Sequence, residues 1–232
     1  LGTNILFVDG NHEDFFALSS YPVRHWKGGK IHRISTHIIH LMRGQIFNIA
    51  NRTILTLGGA DSHDRYDRIL GATWWIEEAI TDKDIALAIK NLTNHHNRVD
   101  YVITHAPCST FVEKLTKLYT QCGEEIPIYI QQKFNCNSSG KKLDEILKVV
   151  DFYHWYCGHL HADDSCGAFT VLYENWSALP MIDKNIKLHN ENPAKYEKKL
   201  NKKTNLKNFI KSVKKITKTE GYSHMEELSK WK

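Results

Sequence analysis

The chain has 232 residues, of which 41% are hydrophobic and 25% are charged, and its formal net charge is +5. This is the composition of a globular protein with one sizeable core, so one domain with a tail is expected. Apolar runs stay well below the roughly 20 residues that span a bilayer, and the sequence shows no signal-peptide pattern, which excludes membrane partners and favours a soluble, cytoplasmic protein.

The predicted elements alternate between strands and helices. In chain order they are a strand Ile5–Val8, strands Gln45–Ile49 and Thr53–Leu57 in a hairpin that turns at residues 50–52, a helix Thr81–Asn97, a strand Tyr101–Thr104, helices Thr110–Gln121 and Lys141–Val150, and strands Phe152–Tyr156 and Phe169–Tyr173. The first helix begins with a Thr81-x-x-Asp84 capping pattern. This order predicts mixed α/β layers.

The charge divides the chain into two parts. From Asp183 onward there are 14 Lys/Arg against 6 Asp/Glu, which leaves 17 against 20 before it. We expect a body over residues 1–182 and a basic, helical tail over residues 183–232. Lys-rich stretches attract nucleic acid, but most are simply solvated helix faces, and both interpretations stay open for the tail.

The cysteines favour a reducing compartment. There are five of them, their spacing is irregular and they form no C-x-x-C pair. This pattern suits reduced thiols in a cytosol better than a disulfide framework.

Three short motifs follow predicted strands. Residues 10–13 read Gly-Asn-His-Glu, residues 104–107 read Thr-His-Ala-Pro, and residues 158–161 read Gly-His-Leu-His. Ligands and catalytic groups of α/β proteins gather at the carboxyl ends of strands. We therefore expect the three exits to converge on one site.

Each motif taken alone leaves two interpretations open. Gly-Asn-His is also a common turn, and Pro107 could simply end a strand. The last motif is stronger, because histidines at i and i+2 of an extended segment lie on the same side and imidazole binds Zn, Mn, Fe and Ni. Metal binding and a structural role both stay open for it.

Taken together and in this order, the motifs resemble the calcineurin-like metallophosphoesterase family, whose signature runs D-x-H, G-D-x-x-D, G-N-H-[D/E], a strand-end His and G-H-x-H. The resemblance covers approximately residues 4–175. It implies a four-layer αββα sandwich, here without the first two βα units. It also implies two divalent metal ions, drawn from Mn, Fe, Zn or Ni.

The resemblance also implies a role for each site residue. Asn11, His105 and His159 would bind the second metal, and His161 would bind the first. His12 would be the proton donor to the leaving group, and Glu13 would hold its ring. The implied reaction is hydrolysis of phosphate mono- or diesters by a hydroxide that bridges the two metals.

Two motifs of the signature, D-x-H and G-D-x-x-D, do not occur before Gly10. We expect them upstream of Leu1, on two further βα units that would be central to the sheet. Without them the chain is not expected to be stable or active alone, and it would hold one metal or none. The alternative is a remnant that acts as a metal- or polyanion-binding module.

Other candidate residues lie between these motifs. Contact with a substrate phosphate and a solvated loop are both open for four residues after a Gly-Gly turn, Asp61, His63, Asp64 and Arg65. Core or rim packing is expected for Trp74 and Trp75. No role is predicted for histidines away from strand ends, such as His37, His40, His95 and His96.

Overall fold

A computed structural model describes residues 3–128, 130–131 and 138–179. The described strands form two sheets. Their bounds are β1 (Ile5–Phe7), β2 (Val23–Trp26), β3 (Gly29–Arg33), β4 (Ile38–Leu41), β5 (Gln45–Ile49), β6 (Arg52–Leu57), β7 (Tyr101–Thr104), β8 (His154–Cys157), β9 (Asp164–Cys166) and β10 (Phe169–Val171).

The described helices are α1 (Phe15–Ser20), α2 (Asp82–Asn94), α3 (Ser109–Cys122) and α4 (Ser138–Leu147), with 3-10 turns at Arg65–Asp67 and Ile76–Glu78. The predicted capping box begins α2: Thr81 Oγ1 accepts from the Asp84 N–H, and the Asp84 carboxylate accepts from the Thr81 N–H. Gly123 ends α3 at a φ of 70°, a left-handed conformation that favours glycine. Among the described residues, no helix has the length and apolar character needed to cross a membrane.

The larger sheet has the order β5-β6-β7-β8-β10-β9. Its four central strands, β6, β7, β8 and β10, run parallel, and the edge strands β5 and β9 are antiparallel to their neighbours. The predicted hairpin is confirmed, since Ile49 pairs with Arg52 and both turn residues, Ala50 and Asn51, have positive φ. Because β6, β7, β8 and β10 are parallel, their carboxyl ends all lie on the same side of the sheet.

Helices cover one face of this sheet. Alternate residues such as Leu55, Leu57 and Val102 form the main core with the apolar sides of α2, α3 and α4. The smaller sheet, of order β1-β4-β3-β2, contributes Ile31, Ile39 and Leu41 to a second core that includes Phe47 of β5. The predicted mixed α/β fold is therefore confirmed, and its two sheets share a core at β5.

The three strands β2, β3 and β4 were not predicted. Their residues include Arg24, His25, Lys30, His32 and His40, and this polar content hides the alternation that marks a strand. The predicted strand Phe152–Tyr156 begins two residues later than expected, at His154. The description of the structure reaches residue 179, so the predicted basic tail, residues 183–232, lies outside the described residues.

Candidate functional site

Three backbone hydrogen bonds connect the loops that follow four strands, each loop to the next. The Gly59 N–H donates to the Asp9 carbonyl at 2.7 Å, which connects the loop after β1 to the loop after β6. Ala106 N–H donates to the Gly59 carbonyl at 3.3 Å, and Gly158 N–H donates to the His105 carbonyl at 3.0 Å. The exits of β1, β6, β7 and β8 therefore meet, although β1 belongs to the other sheet.

Two glycines permit this close approach. A Cβ at Gly58 would overlap the carboxylate of Asp9, and a Cβ at Gly10 would lie 3.1 Å from Cε1 of the His105 ring. The absence of a side chain at both positions brings the loop after β1 against the loops after β6 and β7.

Asn11 lies at the centre of this meeting point. Its side chain is buried, with 5% of the residue surface exposed. The amide oxygen Oδ1 lies 3.0 Å from His105 Nε2. The amide nitrogen donates to Ser62 Oγ at 2.9 Å and lies 3.1 Å from His12 Nε2. Asn11 thus contacts three other loop residues through one amide group.

His159 lies beside His105. Their ring centroids are 5.2 Å apart and the ring planes meet at 62°. The two imidazoles come from the exits of neighbouring parallel strands, β7 and β8. The motifs that begin at residues 10, 104 and 158 therefore come together, as their positions after strands predict.

The second histidine of the last motif has a different environment. The i and i+2 argument requires an extended segment, but His159 and His161 have φ values of 69° and 49°, in the left-handed region. The chain turns here, and Leu160 N–H donates to the Gly158 carbonyl at 2.9 Å. The expectation of an extended segment is wrong. His161 is exposed and stacks on Tyr173, with ring centroids 4.8 Å apart.

The predicted catalytic pair lies on the solvent side of Asn11. His12 is exposed. Its Nε2 lies 3.1 Å from the Asn11 amide nitrogen, which can donate a hydrogen bond to it. Glu13 accepts a hydrogen bond from the Gly10 N–H at 3.0 Å, which closes the loop that presents His12. The loop therefore places an ionisable side chain next to the buried amide.

The donors that converge suit a transition metal. Two atoms bound to one metal at about 2.1 Å lie about 3 Å apart, and the Asn11 Oδ1 to His105 Nε2 distance is 3.0 Å. An amide oxygen and imidazoles are ligands that Mn, Fe, Zn and Ni accept. Within residues 3–128, 130–131 and 138–179, no three His, Cys, Asp or Glu side chains group closely enough to hold a metal. The candidate ligand set differs from such a group, because one of its three members, Asn11, is an amide.

Asp9 belongs to a buried charged network that the motifs did not reveal. Its carboxylate accepts from His40 Nε2 at 3.0 Å and from Arg43 Nε at 2.8 Å. Burial raises the pKa of Asp9, but the His40 hydrogen bond and the Arg43 charge outweigh this effect and hold that pKa below its usual value. The prediction of no role for His40 overlooked this network, because its partners are distant in sequence.

His32 extends the network into β3. Its Nδ1 lies 3.1 Å from His40 Nδ1, and both residues are buried. Burial, together with the nearby His40, lowers the pKa of His32, which favours its neutral form. At 3.1 Å, one of the two Nδ1 atoms carries a proton and donates it to the other.

Ser62 and Glu78 form a second buried pair that the sequence did not single out. Glu78 Oε1 accepts from the Ser62 N–H and Oε2 accepts from the Ser62 hydroxyl, both at 2.6 Å. Both residues have 2% of their surface exposed. Just before Glu78, the sequence analysis singled out only Trp74 and Trp75. Both tryptophans are half-buried, which fits the expected core or rim packing.

The two carboxylate candidates of the loop after β6 have structural partners. Asp61 accepts from the hydroxyl of Ser138 and from the Ser139 N–H, both at 2.7 Å, and so binds the first residues of α4. Asp64 accepts from Arg68 at 2.6 Å. These contacts support the structural interpretation for both carboxylates.

Comparison with known protein families finds no family model that matches the chain, and comparison with curated proteins finds no match.

Proposed function

We propose that the chain carries a divalent-metal site of a phosphate-ester hydrolase. The observation that carries the proposal is the 3.0 Å distance between Asn11 Oδ1 and His105 Nε2, with the His159 ring next to His105. Three side chains that can bind a metal thus come from the exits of three strands, which is where α/β proteins collect their ligands. The order of the three motifs, which resembles that of metallophosphoesterases, adds the reaction class.

In this proposal Asn11, His105 and His159 would hold one cation. His161, whose ring stacks on Tyr173, would face a second cation only in a protein that also carries the D-x-H and G-D-x-x-D motifs. A bound cation supplies a Lewis acid that polarises a phosphoryl oxygen and lowers the pKa of a water molecule. Asn11 adds an oxygen donor without adding charge. The neutral donors match Mn, Zn, Fe or Ni better than Ca or Mg, which prefer carboxylates.

His12 would protonate the leaving-group oxygen. It is exposed beside the buried Asn11 amide, so a phosphate ester that reached the cation from solvent would lie within its reach. To act as this proton donor, His12 must first carry a proton on both ring nitrogens, and it returns to the neutral imidazole when it gives one of them to the leaving-group oxygen. Glu13 holds the loop through Gly10 and so limits where His12 can go.

The proposal extends to the fold and the compartment. The helices and two sheets would be three layers of a metallophosphoesterase-type αββα sandwich. A cytoplasmic location fits the free state of the described cysteines Cys108, Cys122, Cys157 and Cys166. Burial raises the pKa of Cys108 to about 12, so this thiol does not suit a covalent nucleophile, in agreement with direct hydrolysis.

Metal binding is the first test. Calorimetric titration of the purified chain with Mn²⁺ and with Zn²⁺ should give a dissociation constant that rises at least about 10-fold in His105→Ala. The matched control is His95→Ala, because His95 is exposed at the end of α2 and lies outside the site. Equal affinities in the two variants would contradict the proposal, provided that circular dichroism shows both to be folded.

Activity is the second test. In a full-length protein that carries all the motifs of the signature, hydrolysis of a nitrophenyl phosphate diester and monoester should require added Mn²⁺ and should be lost in His159→Ala. His12→Ala should retain metal affinity while its kcat falls by about 10²-fold or more, because only proton transfer is removed. Hydrolysis that persists after chelation would rule out the metal-dependent mechanism.

A further inference from the structure

Glu78 determines the direction of the hydrogen bond that Ser62 can make. A carboxylate only accepts hydrogen bonds, and both oxygens of Glu78 face Ser62, one towards the backbone N–H and one towards the hydroxyl. Ser62 has a single hydroxyl proton. At 2.6 Å from Glu78 Oε2, that proton is donated to the carboxylate, and the Ser62 oxygen is left as an acceptor.

The Ser62 oxygen in turn determines the orientation of Asn11. An asparagine amide has a donor end and an acceptor end of nearly the same shape, and a half turn about χ2 exchanges them. Ser62 Oγ can only accept, so the donor end, Nδ2, lies 2.9 Å from it. The acceptor end, Oδ1, must then face His105 Nε2.

The two positioning groups are themselves held firmly. Ala60 N–H donates to the Glu78 carbonyl at 3.0 Å, which binds the loop after β6 to the 3-10 turn Ile76–Glu78. The preceding residue, Gly59, has a φ of 92°, and a Cβ at Gly59 would lie 2.6 Å from the carbonyl oxygen of Glu78. The relay from Glu78 to Asn11 therefore rests on backbone contacts that no other residue at position 59 would permit.

We infer that Ser62 and Glu78 are positioning residues that keep the oxygen end of the Asn11 amide directed at the metal position. The inference deepens the proposed function and rests on it, since a cation is what would use that oxygen. Neither residue would bind the metal. Their effect would act entirely through Asn11.

The substitution Glu78→Gln reverses the relay with little change of shape. Its amide oxygen can still accept from the Ser62 N–H, and its NH₂ group then donates to Ser62 Oγ. The Ser62 hydroxyl would become a donor towards Asn11, which would favour the opposite amide orientation. The Asn11 nitrogen would then face His105.

The tautomer of His105 reports this reversal without any metal. When Oδ1 faces Nε2, the ring carries its proton on Nε2, and when the amide nitrogen faces Nε2, the proton moves to Nδ1. Nitrogen-15 NMR of the metal-free protein above pH 8, with His105→Ala to assign the signal, should show the Nε2–H form in the native chain and the Nδ1–H form in Glu78→Gln. An unchanged tautomer would overturn the inference, whether or not the protein binds metal.

Mn²⁺ titration gives an independent test. Glu78→Gln and Ser62→Ala should each weaken Mn²⁺ binding about 10-fold, the lower range for residues that orient a ligand. The control is Ser139→Ala, because Ser139 is a fully buried serine whose hydroxyl oxygen accepts from the Ile80 N–H. Its bond to Asp61 is donated by the backbone N–H, which the substitution keeps. Equal affinity of the native chain and Glu78→Gln would overturn the inference and leave the proposed function standing.

Asn11→Asp separates a positioning role from a structural one. A carboxylate has two equivalent oxygens and needs no orientation, and the Ser62 oxygen, as an acceptor, would repel it. In the Asn11→Asp background, Glu78→Gln should therefore leave Mn²⁺ affinity unchanged or raise it. A 10-fold loss in both backgrounds would indicate general damage to the loop and would contradict the inference.

Discussion

Burial changes the acid-base chemistry of individual side chains at the ends of the larger sheet. His154, the first residue of β8, has its pKa lowered by burial, and its Nε2 lies 2.9 Å from Thr170 Oγ1 on β10. A histidine held in the neutral form costs stability once the solution is acidic enough to protonate it in the unfolded chain. This side chain should therefore make the fold sensitive to mild acid.

The pH dependence follows from the direction of this shift. The unfolded histidine titrates near its model value of 6.5, and the folded one titrates below it, so the contribution to stability is complete above 6.5 and is lost as the pH falls towards the folded pKa. The free energy of unfolding, measured in urea at several pH values, should fall more steeply below pH 6.5 in the native chain than in His154→Gln. Identical slopes would contradict the prediction.

The residues of the candidate site differ in how far the sequence reveals them. Asn11, His105 and His159 follow strands within short motifs, so local pattern and strand position were enough to select them. Ser62 contacts Asn11 across 51 residues and Glu78 across 16. Serine and glutamate are common residues, and only the fold shows that this pair supports the amide.

At the scale of elements, α2 begins with reciprocal capping. Thr81 accepts from the Asp84 N–H at 3.2 Å, and Asp84 accepts from the Thr81 N–H at 2.9 Å. The helix contributes Ile85, Ala88 and Leu92 to the main core, so its first turn helps to fix that packing.

Removal of the cap should have a measurable cost. Thr81→Ala should lower the free energy of unfolding by about 1 kcal/mol, because donors in the first turn lose their side-chain partner. The control is Thr93→Ala near the end of the same helix, where the hydroxyl is exposed and donates to the Ile89 carbonyl. Urea denaturation that shows equal losses in both variants would contradict a specific capping effect.

At the scale of the whole molecule, Arg43 connects the smaller sheet with the loops of the larger one. It pairs with the buried Asp9 after β1, and its Nη1 and Nη2 nitrogens donate to the carbonyls of Ala79 and Glu77 at 3.0 and 2.8 Å. One guanidinium thus binds the exit of β1 to the segment that carries Glu78. The candidate site depends on this connection, because its residues come from both sheets.

Loss of this guanidinium should destabilise the fold. Arg43→Met would leave the Asp9 carboxylate buried without its cation, and we expect the free energy of unfolding to fall by about 3 kcal/mol. Asp9→Asn combined with Arg43→Met should cost less than the sum of the single changes, because the unpaired charge is then absent. Additive losses in urea denaturation would contradict this account.

Local sequence determined most elements of the larger sheet and its helices. The strand Tyr101–Thr104 and the hairpin strand Gln45–Ile49 have the predicted bounds, and Thr81 caps α2 as expected. Hydrophobic periodicity and capping act over a few residues, so one segment contains the whole signal. In the smaller sheet β1 was predicted, but β2, β3 and β4 escaped prediction because they carry basic and imidazole side chains.

Tertiary structure decided what these elements bring together. The motifs predicted that Asn11, His105 and His159 would meet, but the Asp9 network and the relay from Glu78 through Ser62 depend on residues far apart in the chain. A hydrogen bond is specified by distance and direction in space, and a sequence pattern holds neither for distant partners. The sequence therefore determined which strand exits carry the chemistry, and the packing of the two sheets decided which side chains orient it.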